Sequence, residues 1–357
     1  MSLPTTRLGK AGAKVTRICL GTMGFGAKTW REWVIESKES VPIIKRALDL
    51  GINFIDTADV YSIGESERIV GQAIEGRRDD VVLATKVINP MGPGPNDHGL
   101  SRKHIVKGLK DSLERLQTDY IDLYQIHRYD PDTELDESLA TLSGLVDQGN
   151  VHYLGASTMW AWQFALAASR QREKDWHPFV TMQNHYNLVY REEEREMIPL
   201  CRNLGVGLLP WSPLARGFLA GPEKRDNGVR ARTDGGRAFY RHPQDLEIAK
   251  RVDEIAQEKD VSSANIALAW LLHQPGVVAP IVGITRVEQV EDAVEAATLQ
   301  LSQDELKRLE APYKPRGITG WYRGGGVPVQ HLDEEEVGGL TRILKPAKAT
   351  PAAGQAR

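Results

Sequence analysis

An acid, a phenol, an amine and an imidazole stand at the ends of three short apolar runs. Asp56 closes the run 52–55 in GINFIDTADVY, and Tyr61 follows on the next loop. Lys86 follows the run 81–84 in VVLATKV, and His127 follows 120–126 in YIDLYQIHRYD. A phenol is a poor acid near neutral pH, because its reference pKa is about 10. An ammonium beside it favours the phenolate and eases proton donation. A carboxylate keeps that ammonium charged and oriented, and an imidazole can orient a carbonyl oxygen over the phenol. Asp56, Tyr61, Lys86 and His127 therefore form a set complete for reducing a carbonyl. Tyr61 would protonate the oxygen while a hydride reaches the carbon. No side chain supplies a hydride, so a cofactor must bring it.

Each residue also has an ordinary explanation. A tyrosine after a strand usually packs, a lysine at a strand exit is usually solvated, and a histidine in QIHRYD can be a satisfied, half-buried one. Such explanations suffice one at a time and weaken when the groups recur at three consecutive strand exits.

Groups of this kind need strands that end on a common face. Residues 5–16 read as an opening hairpin with a glycine-containing turn. Strand-like runs follow at 18–21, 52–55, 81–84, 120–126, 151–155, 180–182, 206–210 and 277–282. Between them lie helical patterns at 39–50, 66–74, 135–145, 160–168, 191–204, 246–256, 263–272 and 287–297, with one more at 303–309. Ser66 reads as an N-cap, as does Ser101 before Ile105, Leu109, Leu113 and Leu116. Residues 214–242 read as irregular and too long for a silent connection. Strict alternation implies a parallel sheet. Eight strand–helix units predict an α/β fold of the (β/α)8 TIM-barrel type, with functional groups at the C-terminal ends of the strands. Residues 1–323 are expected to form the barrel. Residues 324–357, rich in Gly, Pro, Ala and charge, read as a mobile or partner-dependent tail.

Bulk properties narrow the function classes. The 357 residues are 41% hydrophobic and 26% charged, with a net charge of -3. Neither that balance nor any basic block points to nucleic acid or a membrane surface. No run is long and apolar enough for a bilayer span, and the N-terminus lacks a secretory pattern, so the expected location is cytoplasmic. Cys19 and Cys201 are expected as reduced, buried thiols. No HExxH or paired-cysteine motif suggests a metal. Gly21, Gly24 and Gly26 in LGTMGFG do not make a dinucleotide fingerprint of the GxGxxG kind.

The segments FIDTADVY, GESERIVGQAI, LATKV and DYIDLYQIHR, in that order, closely resemble the aldo-keto reductases. The variant of the pattern resembles most the bacterial and fungal group that includes aryl-alcohol dehydrogenases and versiconal hemiacetal acetate reductase. The resemblance implies a (β/α)8 oxidoreductase using NADPH, or in some members NADH. It implies Asp56, Tyr61, Lys86 and His127 as a catalytic tetrad with Tyr61 as the acid. In LGASTMW, Ser157 and Thr158 fall where a Ser–Asn pair holds the nicotinamide amide, Thr158 replacing the usual Asn, and Gln183 falls on the Gln that completes the contact. Trp211 in PWSPLARG stands where an aromatic stacks on the nicotinamide ring. Ser212, Leu214, Arg216 and Gly217 match a loop that straps over the pyrophosphate. Gly283, Thr285, Arg286 and Gln289 in VGITRVEQVEDAVEA fall on the adenosine-phosphate segment. Asp292 stands where Glu is common, and Ala293 where an Asn meets the adenine. Arg286 would favour NADPH by pairing with its 2′-phosphate, since guanidinium and phosphate match in geometry; the bland reading is an exposed residue at a helix start. Trp30, Trp160, Trp321 and Tyr322 are candidates for an aromatic wall of a substrate pocket, suited to flat or sugar-like molecules.

The expected activity is reversible reduction of an aldehyde or ketone, with a small carbonyl or alcohol as partner and an oligomer left open. Two other readings stand beside it. One is a cofactor-binding sensor subunit, resembling potassium-channel beta subunits, with the tail as a docking segment. The other is a sugar isomerase or epimerase using the same acid and base.

Overall fold

Eight short runs, buried on both faces, pair in parallel as strands covered by helices must. The computed structural model describes residues 3–319. A two-stranded antiparallel hairpin comes first, β1 (Thr5–Arg7) and β2 (Lys14–Thr16). The eight-stranded sheet follows in chain order: β3 (Cys19–Gly21), β4 (Phe54–Asp56), β5 (Val82–Val87), β6 (Ile121–Ile126), β7 (Val151–Ser157), β8 (Phe179–Gln183), β9 (Gly207–Leu208) and β10 (Ile281–Gly283). β10 pairs with β3 at one edge. At the other edge Val278 N–H donates to Leu208 O and Ile281 N–H to Pro210 O, both at 2.9 Å, which closes the ring. The fold is the (β/α)8 barrel expected, with its hairpin below.

The helices are α1 (Ser37–Asp49), α2 (Glu65–Ile74), α3 (Arg102–Leu116), α4 (Leu135–Asp147), α5 (Ala161–Glu173), α6 (Met197–Leu204), α7 (Pro222–Asn227), α8 (Val229–Thr233), α9 (Pro243–Lys259), α10 (Ser263–His273), α11 (Glu288–Ala296) and α12 (Gln303–Glu310). Among the described residues no helix is long and apolar enough to cross a membrane. Cys19 and Cys201 are free and buried. The expected tail, 324–357, lies outside the described residues, as do Trp321 and Tyr322.

The structure corrects several sequence expectations. Ser66 is not an N-cap: α2 begins after Gly64, whose φ is +86°, and Ser66 Oγ donates instead to Thr22 O at 2.8 Å. A Cβ at Gly64 would lie 2.5 Å from Arg115 Cδ, so both space and backbone require glycine there. The helix expected at 191–204 divides into a 3₁₀ turn, Glu192–Glu194, and α6. Buried Glu193 breaks the periodicity by accepting from Asn184 Nδ2 at 2.9 Å. The 214–242 segment is not irregular throughout, because it carries α7 and α8. Gly221, at φ +99°, and Pro222 start α7, a pairing of turn and first helical residue that favours a helix start. β5 runs past residue 84 to Val87, so Lys86 lies inside the strand and not beyond it.

α2 and α3 are tied to β5 by a buried charge. Glu67 has no exposed side-chain surface, meets Arg115 Nε at 2.6 Å and accepts from Thr85 Oγ1 at 2.6 Å. Thr85 precedes Lys86, so this contact braces the outer face of the strand whose next residue points inward. Removing one partner of a buried pair costs about 3 kcal/mol or more, because the other charge stays buried. Arg115→Met should therefore lower Tm clearly, and adding Glu67→Gln should recover part of the loss. A double variant as unstable as the sum of both single changes would refute this account, with thermal unfolding by circular dichroism as the measurement.

Candidate active site

Parallel pairing puts the ends of the strands on one face and sets which side chains meet there. Asp56 ends β4, and Lys86 pairs in register with Gln125 of β6. Lys86 Nζ reaches Asp56 Oδ1 at 2.6 Å, Thr57 O at 2.7 Å and Tyr61 OH at 3.2 Å. Asp56 Oδ2 accepts from Gln125 Nε2 and from Gln183 Nε2, each at 2.9 Å. Gly155 on β7 leaves room for this layer, since a Cβ there would lie 2.6 Å from Thr181 Oγ1 and 2.9 Å from Gln125 Cγ. The Tyr61 and His127 rings meet edge to face, with centroids 5.8 Å apart. The four residues expected as a tetrad thus share one cluster.

Tyr61 is carried by a strained loop. Ser62 and Ile63 both have left-handed backbones, at φ 48° and 53°, and the second is β-branched. Such conformations persist only where the surroundings enforce them; Ser62 Oγ, for one, accepts from Ala27 N–H at 3.3 Å.

The electrostatics of the cluster oppose one another. Burial raises the Tyr61 pKa, the Lys86 ammonium lowers it, and the net direction is upward, so the phenol keeps its proton at neutral pH. Burial works against the Lys86 ammonium, but Asp56 and Tyr61 more than offset it and its pKa lies above the ordinary lysine value. His127 Nδ1 lies 3.0 Å from Asn89 Nδ2, which can only donate. Nδ1 is then an acceptor, which leaves Nε2 as the ring's donor.

Of the residues expected to meet a cofactor, Gln183 touches this cluster directly. Ser157 ends β7 in register with Gln183. Gln183 turns its amide nitrogen to Asp56 and, at 3.3 Å, to Gln125 Oε1. Thr158 Oγ1 accepts from Trp211 Nε1 at 2.9 Å, and the indole stacks on His185 at 4.2 Å and 8°. Burial, with Arg216 adding, holds the His185 pKa well below its usual value, so that ring is neutral. Ser212 O accepts from Asn187 Nδ2 at 2.9 Å, and Gly217 N–H bonds to Leu214 O at 2.9 Å. The Arg216 guanidinium meets Asp234 Oδ2 at 2.6 Å, with both side chains buried. After β10, past Gly283, Gln289 Oε1 accepts from Thr285 N–H at 3.0 Å and Arg286 N–H at 3.2 Å, leaving Thr285 and Arg286 exposed. Asp292, half-buried on α11, acts electrostatically on Lys224. Trp30 packs edge-on to Trp33 at 6.2 Å, and Trp160 stands at the N-cap position of α5, its backbone N–H donating to Gln163 Oε1 at 3.0 Å. Among the described residues no group of three His, Cys, Asp or Glu has the arrangement to hold a metal.

Several residues were missed from the sequence. Gln125 and Asn89 orient Asp56 and His127, but a lone amide in a strand or loop carries no pattern. Arg128 donates to His127 O and lies 3.5 Å from Ser157 Oγ. Arg230 joins Arg216 on Asp234 at 2.9 Å and stands 4.4 Å over the Trp33 ring. Lys224 on α7 faces Arg286 closely enough that, after burial, this second cation is what lowers its pKa. Recognising α7 from its Gly–Pro start is the signal that could have placed Lys224.

The Lys86 charge gives a pH test with a definite sign. In the native chain its folded pKa is raised, so its contribution is complete below about 10.4 and is lost only above that pH. Asp56→Asn removes the largest influence opposing burial and should drop the folded pKa below the unfolded one. The variant should then lose stability relative to the native chain as pH falls from about 10, by about 1.4 kcal/mol per unit down to the new pKa. Urea unfolding between pH 7 and 10 measures this; a difference independent of pH would show that Asp56 does not hold the Lys86 charge.

Comparison with known proteins agrees with this geometry. Residues 17–314 match the aldo/keto reductase family. Versiconal hemiacetal acetate reductase of Aspergillus parasiticus is 40% identical over 336 residues, spanning 87% of this chain and 97% of that protein. A Schizosaccharomyces pombe protein provisionally named as an aryl-alcohol dehydrogenase is 42% identical, over 88% of this chain and 96% of its own. Aldo-keto reductase AMT2 of Alternaria alternata is also 42% identical, over 88% of this chain and 92% of its own. With its barrel and its buried Asp–Lys–Tyr cluster, the chain belongs to the aldo/keto reductase family of oxidoreductases.

Proposed function

We propose that this chain is an NADPH-dependent carbonyl reductase that takes aryl aldehydes or ketones to alcohols. The buried Asp56–Lys86–Tyr61 chain carries this reading. Tyr61 holds its proton at neutral pH, yet lies beside an ammonium that stabilises the phenolate once the proton leaves. His127, with its proton on Nε2, is the donor that orients the carbonyl oxygen. Asp56 keeps Lys86 charged, and Gln125 and Gln183 keep Asp56 in place.

The residues fit a dinucleotide. Trp211 offers a flat surface, Ser157 and Ser212 offer hydroxyls, and Arg216, Arg230, Lys224 and Arg286 supply cations. Asp234 between Arg216 and Arg230 marks a place where paired guanidiniums accept an anion. The reduced nicotinamide, when bound, supplies the hydride. Lys224 and Arg286 together suit the 2′-phosphate that distinguishes NADPH from NADH. The names of the relatives point to aryl alcohols and aldehydes as first substrates, and Trp30, Trp33 and Trp160 suit flat rings. The reverse oxidation uses the same groups.

The first test is NADPH and NADH oxidation with aromatic aldehydes, diketones and keto-sugars. Tyr61→Phe should lower kcat by roughly 10²–10⁴-fold while cofactor affinity changes by less than about twofold, since only the transferable proton is removed. Unchanged kcat would sink the assigned role, and tight NADPH binding with no turnover of any carbonyl would favour a sensor subunit. Arg286→Ala should weaken NADPH about tenfold and leave NADH nearly unchanged, as judged by cofactor fluorescence. Equal weakening of both would remove Arg286 as the discriminator.

A further inference from the structure

Asp59 stands two residues before Tyr61 and is 1% exposed. Its backbone N–H donates to Lys86 O at 3.3 Å, and its Oδ1 accepts from Val60 N–H at 2.6 Å. Tyr61 N–H bonds to Ala58 O at 3.2 Å, and Ile63 N–H to Val60 O at 3.1 Å. The Asp59 carboxyl is thus bonded into the turn that delivers Tyr61, just ahead of the left-handed Ser62 and Ile63.

Its second oxygen is left over. Asp59 Oδ2 is buried, and no donor among the described residues reaches it. The charges that act on this carboxyl are Glu67 from α2, Arg115 from α3 and Lys86 from β5, and Asp59 in turn acts on the Tyr124 phenol of β6. Both cations are engaged elsewhere. Lys86 Nζ bonds to Asp56, Thr57 O and Tyr61, which places its three protons. Arg115 Nε lies on Glu67 Oε2. A carboxylate at Asp59 would be a buried charge with one hydrogen bond and a second carboxylate acting against it, far costlier than the neutral acid. Burial first and Glu67 next hold the Asp59 carboxyl well above the usual carboxylate range, in keeping with that geometry.

We propose that Asp59 is a positioning residue for Tyr61: as an uncharged acid it seats the turn 58–61, as a carboxylate it unseats that turn, and this one buried group limits the catalytic geometry on the alkaline side. The proposal rests on the reading of Tyr61 as proton donor given above. Ionisation draws Oδ2 toward water. Oδ1 carries the Val60 N–H with it, and the 3.2 Å contact between Lys86 Nζ and the Tyr61 hydroxyl opens.

Two variants of the full chain separate this role from simple packing. Asp59→Asn keeps the acceptor for Val60 and cannot ionise; Asp59→Ala removes the acceptor. In carbonyl reduction with NADPH, Asp59→Asn should stay within about twofold of the native kcat at pH 7 and carry the alkaline limb of kcat upward by about one pH unit or more. Asp59→Ala should lower kcat about tenfold while NADPH affinity stays within about twofold. Two readouts need no turnover. The infrared difference between native chain and Asp59→Asn at pH 7 should contain the carbonyl stretch of a protonated carboxyl, lost as the alkaline limb is crossed. In urea unfolding, a raised folded pKa means that the Asp59 contribution is complete below about pH 3.9 and is lost as pH rises to the folded value. Asp59→Asn should therefore gain on the native chain by up to about tenfold in folding constant per pH unit over that span. The Asn variant and the infrared signal decide the matter if Asp59→Ala does not fold. An alkaline limb unmoved in Asp59→Asn, or a difference spectrum without the protonated carboxyl, would overturn the proposal alone. Full turnover in Tyr61→Phe would overturn the donor reading and the proposal with it.

Discussion

A lysine ammonium without exposed surface stands at the mouth of the barrel, and the site is arranged around keeping it there. Taking an ion out of water costs several kcal/mol even after relaxation, and the cost is recovered only if every polar atom is matched. An ammonium has three protons to place. Lys86 places them on a carboxylate, a carbonyl and a phenol, and the second carboxylate oxygen is filled by two amides. Those partners come from β4, β6 and β8 and from the loop after β4. No two neighbouring strands could assemble them, so the charge depends on the closed ring and on its register. The apolar layers of the barrel offset the cost.

The same contact governs the phenol. Burial alone would make Tyr61 a proton holder too reluctant to act, and an unburied lysine would be too screened to help. Both groups share one dry site, where a charge interaction is stronger than in water. The two pulls on Tyr61 oppose each other, and the net direction leaves the phenol protonated at neutral pH. The strained backbone at Ser62 and Ile63 belongs to this arrangement. It brings Tyr61 back over the strand ends, at a cost of about 1–3 kcal/mol for each such residue.

How much of this was legible in the sequence follows from how each feature is encoded. Strands buried on both faces write continuous apolar runs, and amphipathic helices write a period near 3.6, so the barrel could be read unit by unit. Asp56, Lys86 and His127 stood out because each interrupts or ends such a run. Gln125 did the same inside YIDLYQIHR and was passed over, since a buried amide is recognised only by the partner that satisfies it. Ser66 was misread because a serine before an apolar stretch looks like a cap, whereas its hydroxyl is taken by Thr22 some 44 positions away. Arg216, expected in the loop over the pyrophosphate, also pairs with Asp234, a contact made within a segment read as shapeless. Hydrogen bonds between distant residues leave no local trace, and most of the misreadings are of that kind.

The 214–242 segment reaches the ring stack behind Trp211. Its last aromatic, Tyr240, has its hydroxyl 2.7 Å from His185 Nε2, and burial pushes the Tyr240 pKa up to about 12, so the phenol is neutral. His185 is in turn sandwiched between Trp211 and Tyr190, at 4.2 and 4.1 Å. A neutral imidazole suits that place, because a charged one would be stranded between two rings beside the Arg216 charge. Tyr190 OH receives the backbone N–H of Thr319 at 3.2 Å, so the last described residue touches the same stack. Trp211, proposed as the nicotinamide platform, is therefore supported at one face by His185 and Tyr190, from the loop after β8, which Tyr240 and Thr319 in turn hydrogen-bond. Order in those peripheral pieces and the pose of the platform are one property. Loops that differ between members of such a barrel family can then alter the chemistry at its centre without replacing any residue that touches the reacting atoms.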